Sequence, residues 1–188
     1  MKIGLYFGSF NPVHVGHLII ASHIADTSSL NQVWFIVSPQ NPLKHSSTLL
    51  NEYQRLHLVQ MCIEEDPRLK ASDVEFKLPK PSYTIDTLTY LTEKYPEYEF
   101  TLILGSDSFQ NIHRWKNYER LIRDYHFIIY PRPGFPVDST STNVQIIKAP
   151  LLEISATEIR NKIREGKSVR YLLPENVRKE IEIAGYYK

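Results

Sequence analysis

Gly8-Ser9-Phe10-Asn11-Pro12-Val13-His14-Val15-Gly16-His17 stands directly after the apolar run Ile3 to Phe7 and opens the longer amphipathic stretch Gly16 to Asp26. The run is short and rich in β-branched and aromatic residues, so it reads as a buried strand, and the stretch after it reads as a helix. Gly8 permits a turn at the strand end and Pro12 stiffens the loop. Gly16 has no side chain, which lets a ligand's phosphates approach the helix start. Backbone N–H groups and the helix dipole favour an anion there. His14 and His17 are spaced so that both rings project to one side of a helical first turn. Two imidazole donors at such a place suit charge developing on a phosphoryl group.

Other readings of the same residues stand beside this one. Glycine and proline after a strand can be plain turn chemistry. A His-x-x-His pair can bind a transition metal, although that needs a third ligand and the loop offers no carboxylate or cysteine. Either histidine can also be a satisfied core group.

Outward from this junction the pattern repeats. Val33 to Val37, Phe100 to Leu104, Phe127 to Tyr130 and Val144 to Ile147 read as further strands. Asn51 to Glu65, Ser82 to Tyr95, about Thr157 to Glu165 and Glu175 to Ala184 read as helices, and Pro131 to Asn143 as a connecting loop. Leu56, Val59 and Ile63 share one helical face with Cys62 close by, which makes Cys62 a packing residue before a nucleophile. Alternating strands and helices predict an α/β fold, a Rossmann-like doubly wound parallel sheet with a small helical C-terminal region. We expect one domain over 1–188, with the helical subregion at about 155–188. Ligands in such sheets bind at the carboxyl ends of strands where the strand order reverses, so the loops after strands are where chemistry is sought.

The chain has 188 residues, 42% of them hydrophobic and 23% charged, enough for a sizeable core. Its net charge of +1 argues against long-range attraction to polyanions, so no nucleic-acid polymer is expected as a partner and phosphate chemistry must rest on a local set of donors. The single cysteine excludes an internal disulfide and suits a reducing compartment. No apolar run approaches the roughly 20 residues that span a bilayer, and the start lacks the features of a secretory signal. A cytoplasmic protein without a membrane partner is expected; the sequence leaves homo-oligomerisation open.

A second loop resembles the first in purpose. Ile154-Ser155-Ala156-Thr157-Glu158-Ile159-Arg160 follows the last strand region and opens a helix. Ser155 and Glu158 have the spacing of a capping box. Arg160 falls in the first turn, where a cation opposes the helix dipole. A bound anion would relieve that conflict, and so would a neighbouring acid such as Glu158.

The decapeptide Gly8 to His17 resembles the Gly-x-Phe-x-Pro-x-His-x-Gly-His motif of the nucleotidyltransferase superfamily, with Asn11 where that family more often has Asp. Ile154 to Arg160 resembles its Ile-Ser-Ser-Thr-x-Ile-Arg motif, with Ala156 for the middle serine. The resemblance implies that Gly8, Ser9, Phe10, Gly16, Ser155, Thr157 and Arg160 bind ATP, the last three at its β- and γ-phosphates. It implies catalytic roles for His14, His17 and Arg160, Mg²⁺ arriving with ATP, and no metal site of the protein's own.

The middle of the chain bears on the acceptor. Lys44, in the loop after the second strand, could meet an acceptor phosphate or simply be solvated. Ser82 or Thr84 could cap a helix or touch ligand. Asp107, in Gly105-Ser106-Asp107, could accept from a ribose hydroxyl, and Trp115 offers a face on which a flat ring could stack. Together these segments, with Tyr171-Leu172-Leu173-Pro174 and the closing helix, resemble the bacterial nicotinate-mononucleotide adenylyltransferases. That likeness implies acceptor contacts from Lys44, Ser82, Tyr83, Thr84 and Trp115, adenosine contacts from Gly105 and Asp107, and ATP and nicotinate mononucleotide as substrates. The chain departs from that pattern at Asn41-Pro42-Leu43-Lys44 and at Tyr118. A phosphopantetheine adenylyltransferase, a cytidylyltransferase and a non-catalytic nucleotide-binding regulator are the alternatives. The ring-stacking Trp115 and the long C-terminal region favour the first reading.

Overall fold

The computed structural model describes residues 1–40, 49–138, 142–150 and 153–188. Lys44 lies outside the described residues. Among the described residues six strands form one parallel sheet: β1 Lys2–Gly8, β2 Gln32–Val37, β3 Leu69–Ser72, β4 Glu99–Gly105, β5 His126–Tyr130 and β6 Val144–Ile146. Their order is β3-β2-β1-β4-β5-β6. The chain therefore winds outward in one direction from β1 to β3 and in the other from β4 to β6, and the reversal falls between β1 and β4. Residues Tyr6 and Ile103 are in register across that seam.

Strand residues alternate between two packed faces, as parallel strands covered on both sides must. Tyr6, Phe35, Val37 and Ile103 point into one core with the helices α1 Val15–Thr27, α2 Glu52–Ile63, α6 Ala156–Arg164 and α7 Glu175–Ala184. Ile3, Leu5, Ile36 and Leu102 point into the other, beneath α3 Thr84–Lys94 and α5 Tyr118–Asp124. A further short helix, α4 Ser106–Gln110, starts directly at the end of β4.

Two expectations need correction here. The strand β3 has no apolar run to announce it: Leu69-Lys70-Ala71-Ser72 lies at the sheet edge, where one side of the ladder has no neighbour and polar residues are tolerated. Neither Ser82 nor Thr84 caps α3. Tyr83 is the N-cap and no side chain bonds the helix start; Ser82 turns inward instead, 8% exposed, beside the buried carboxyl of Glu75. Cys62 packs against the first core, and burial pushes its thiol up to about 12.

Candidate active site

The carboxyl ends of β1 and β4 open into a cavity of about 850 Å³. It is lined by Gly8, Ser9, Phe10, His14, Gly16 and His17 from the first junction, by Asp107 after β4, and by Ser155, Thr157 and Arg160 at the start of α6. Residues nearly a chain length apart thus face one space at the point of strand reversal.

His14 is the N-cap of α1 and His17 its third residue, so the loop and the first helical turn set both rings. The rings stack with centroids 3.7 Å apart and planes 28° off parallel. Gly16 makes this possible: a Cβ there would stand 3.1 Å from the His14 ring, so the space the sequence suggested for phosphate is taken first by imidazole. The His14 N–H donates to His17 Nδ1 at 3.3 Å. With Nδ1 accepting, a neutral His17 carries its proton on Nε2. The helix start is less open to an anion than its sequence suggests, because the Val15 N–H donates to Leu172 O at 3.1 Å.

His14 is only 5% exposed, and burial, helped by the positive charge of Arg132, lowers its pKa from 6.5 to about 4. At neutral pH its ring is therefore uncharged. The unfolded chain takes up this proton near 6.5 and the folded chain does not until about 4. The contribution of His14 to stability is thus present above 6.5 and lost as the pH falls toward 4, with a size of about 3 kcal/mol. Urea unfolding at pH 7 and pH 4.5 tests this. The wild-type midpoint should drop more than that of His14→Asn, and equal drops would contradict the assignment.

Arg160 resolves its helix-start conflict in a way the sequence did not anticipate. Glu158 pairs with Lys162 at 3.4 Å, while the Arg160 guanidinium donates to the Asn11 carbonyl at 2.7 Å and to Thr157 Oγ1 at 3.2 Å. Ser155 does cap α6, accepting from the Glu158 N–H at 3.1 Å, but the return bond of a capping box is replaced by that ion pair. Arg160 therefore ties the second motif to the first.

Asp107 lines the cavity, and its carboxylate folds back so closely on Gly105 that any side chain there would displace it. Gly105 itself serves that placement and is not part of the lining. Ser82, Tyr83, Thr84 and Trp115 also lie outside this cavity, on the side toward the second core. There Lys116 stands over the Tyr83 ring at 4.8 Å and pairs with Asp86 at 2.8 Å.

Four residues in or near the site escaped the sequence reading. Arg132, directly after β5, pairs with Asp107 at 3.5 Å and lines the cavity. Its place at a strand's carboxyl end was the available signal. Tyr6 on β1 and Tyr130 on β5, buried on the same face of the sheet, face each other with hydroxyls 3.4 Å apart and line the cavity. Arg55, on an otherwise apolar face of α2, is fully buried.

Residues 5–162 match the cytidylyltransferase-like family model. A Flavobacterium psychrophilum protein named a probable nicotinate-nucleotide adenylyltransferase is 52% identical, with all of both chains covered. The chain belongs to that family. A relative of the same name from Bacteroides thetaiotaomicron is 48% identical over 94% of this chain and 89% of its own. The Plasmodium falciparum nicotinic acid mononucleotide adenylyltransferase complexed with NaAD superposes with a TM-score of 0.86, covering 99% of this chain and 97% of its own at 22% identity, a likeness in fold. Among the described residues no helix is long and apolar enough to cross a membrane.

Proposed function

We propose that this cavity transfers the adenylyl group of ATP to nicotinate mononucleotide, giving nicotinate adenine dinucleotide and pyrophosphate in NAD biosynthesis. The observation that carries the residue roles is the convergence of His14, His17, Thr157 and Arg160, from opposite ends of the chain, on one space at the sheet's reversal. A phosphate oxygen of the mononucleotide attacks the α-phosphorus in line. The bond from that phosphorus to the bridging oxygen breaks and pyrophosphate leaves. The nucleophile is already an anion at neutral pH, so no base is needed to create it; catalysis reduces to positioning and charge stabilisation.

His14, uncharged, and His17, with a proton on Nε2, are hydrogen-bond donors for the α-phosphate and the bridging oxygen. Arg160 and Thr157 hold the departing pyrophosphate, with Ser155 beside them. Asp107 receives the ribose of ATP. Mg²⁺ neutralises part of the triphosphate's charge, and we assign it to the nucleotide rather than to a protein cage. The donor set supports this: the cavity is lined by two arginines and two carboxylates, of which Asp107 is already paired to Arg132 and Glu153 stands apart, and among the described residues no group of three or more His, Cys, Asp or Glu could hold a metal. ATP as substrate and the single cysteine support a cytoplasmic location, with the whole chain working as one domain.

Acceptor identity is tested by pyrophosphate release from the purified protein with ATP and Mg²⁺, offering nicotinate mononucleotide, its amide or phosphopantetheine. Strong release with the nicotinate form, with its dinucleotide identified by mass, supports the proposal. Release only with phosphopantetheine would keep the chemistry and overturn the acceptor. No release despite ATP binding would favour a nucleotide-binding regulator. We assign Ser82, Tyr83, Thr84 and Trp115, with Lys44, to the acceptor. Trp115→Ala should then raise the acceptor KM up to about tenfold, the worth of a good ring stack, and lower kcat less. An acceptor KM unchanged by the substitution would remove the stacking role.

A further inference from the structure

The loops that leave β1 and β2 bear different substrates in the reading above, and strand pairing ends where they begin. The last link of the ladder is the Ser38 N–H donating to Gly8 O at 2.9 Å. Beyond it the Arg55 side chain joins the two loops. Arg55, 0% exposed, donates from Nη1 to Ser9 O at 2.6 Å and to Ser38 O at 2.8 Å, and from Nη2 to Pro39 O at 3.3 Å. Its Nε donates to Leu50 O at 2.7 Å, and the Leu50 N–H in turn donates to Asn11 Oδ1 at 3.1 Å. Among the described residues Arg55 makes no ion pair: the nearby carboxylate of Glu52 is engaged by Lys80 at 2.6 Å. Burial accordingly pulls its pKa below the usual arginine value.

A buried cation satisfied by carbonyl oxygens alone is an expensive way to fill space on a helix face shared with Leu58 and Val59. A methionine would fill that space without the desolvation cost. What the guanidinium adds is geometry: a rigid planar fork with donors in several directions, which a lysine's compact ammonium does not reproduce.

We propose that Arg55 is a positioning residue for adenylyl transfer, a clasp that fixes the phosphate-binding loop at Ser9–Asn11 against the start of the acceptor loop at Ser38–Pro39. This rests on the loop roles assigned above. The acceptor side extends further, since the Ser82 N–H donates to Gln40 O at 3.2 Å, so the clasp also bears on the Ser82–Thr84 segment. Arg55 does not line the cavity, so its effect passes through backbone.

The test compares wild type with Arg55→Lys and Arg55→Ala in the full chain, reading kcat, both KM values, ATP affinity by calorimetry and melting temperature. In Arg55→Lys the KM for ATP and for the mononucleotide should both rise about tenfold, more than kcat falls, because two or more charge-assisted bonds are lost from the loops. Millimolar guanidinium added to Arg55→Ala should lower both KM values toward wild type, whereas methylammonium should not. Variants that melt earlier yet keep both KM values within twofold would show a purely structural role and overturn the proposal. Failure of both variants to fold would overturn it as well, placing Arg55 in the core's support and not in loop spacing. An inactive wild-type protein would instead reject the reading of the reaction, and the calorimetric ATP affinities would still decide whether Arg55 orders the loop.

Discussion

Replacing His17 with alanine should lower kcat by about 10²–10³, the usual consequence of removing one donor aimed at transition-state charge. The ring is half-buried between Phe10, with centroids 5.1 Å apart, and His14, and its Nδ1 is occupied by the His14 N–H. In the proposed role Nε2 donates, from a ring that packing has already fixed. Such a donor needs little reorganisation when charge builds on the phosphoryl group. The substitution leaves the sheet and both cores intact, and the lost backbone contact costs about 1 kcal/mol. Circular dichroism should therefore match wild type while single-turnover rates collapse. A fall in turnover below about threefold would remove His17 from the chemistry.

Arg160→Ala should reduce kcat/KM for ATP by about 10², equivalent to about 2.7 kcal/mol of transition-state binding. Two losses combine. A charged donor for the departing pyrophosphate disappears, and the bond from Arg160 to the Asn11 carbonyl at 2.7 Å, which ties the first loop to α6, is lost. Arg160→Lys separates these losses. A lysine keeps the positive charge but cannot reach the Asn11 carbonyl and Thr157 Oγ1 together, so an intermediate fall is expected. A lysine variant within twofold of wild type would show that charge alone suffices and that the tie to Asn11 is incidental.

Much of this was legible in the sequence for reasons that can be named. The central strands are covered on both faces and so read as unbroken apolar runs; β1, β2, β4 and β5 are of that kind. The edge strand β3 is half exposed and carries a lysine, and no periodicity marks it. The decapeptide from Gly8 to His17 was readable because glycine, proline and paired histidines at a strand–helix junction leave few structural uses for so many special residues. Its details were not. That Gly16 makes room for an imidazole, or that the first amide of α1 is already bonded to Leu172, depends on segments far away in the chain. Arg55 left a trace, a cation three and four residues before Leu58 and Val59 on one helical face, but its four carbonyl partners come from three separate stretches that only folding brings together.

The link between Asn11 and Arg160, with the one between Val15 and Leu172, has a meaning for how the protein comes into being. Synthesis runs from the amino end, so the histidine loop leaves the ribosome long before the helix that closes over it. The sheet can begin to gather around β1 and β2 at that stage, yet the pocket has no far wall. A nascent chain stopped after β6 would hold most of the fold and lack Thr157 and Arg160 entirely. On the roles proposed for Thr157 and Arg160, catalytic competence would arrive late, as the last two helices dock, and partial products of translation would not consume ATP by this route.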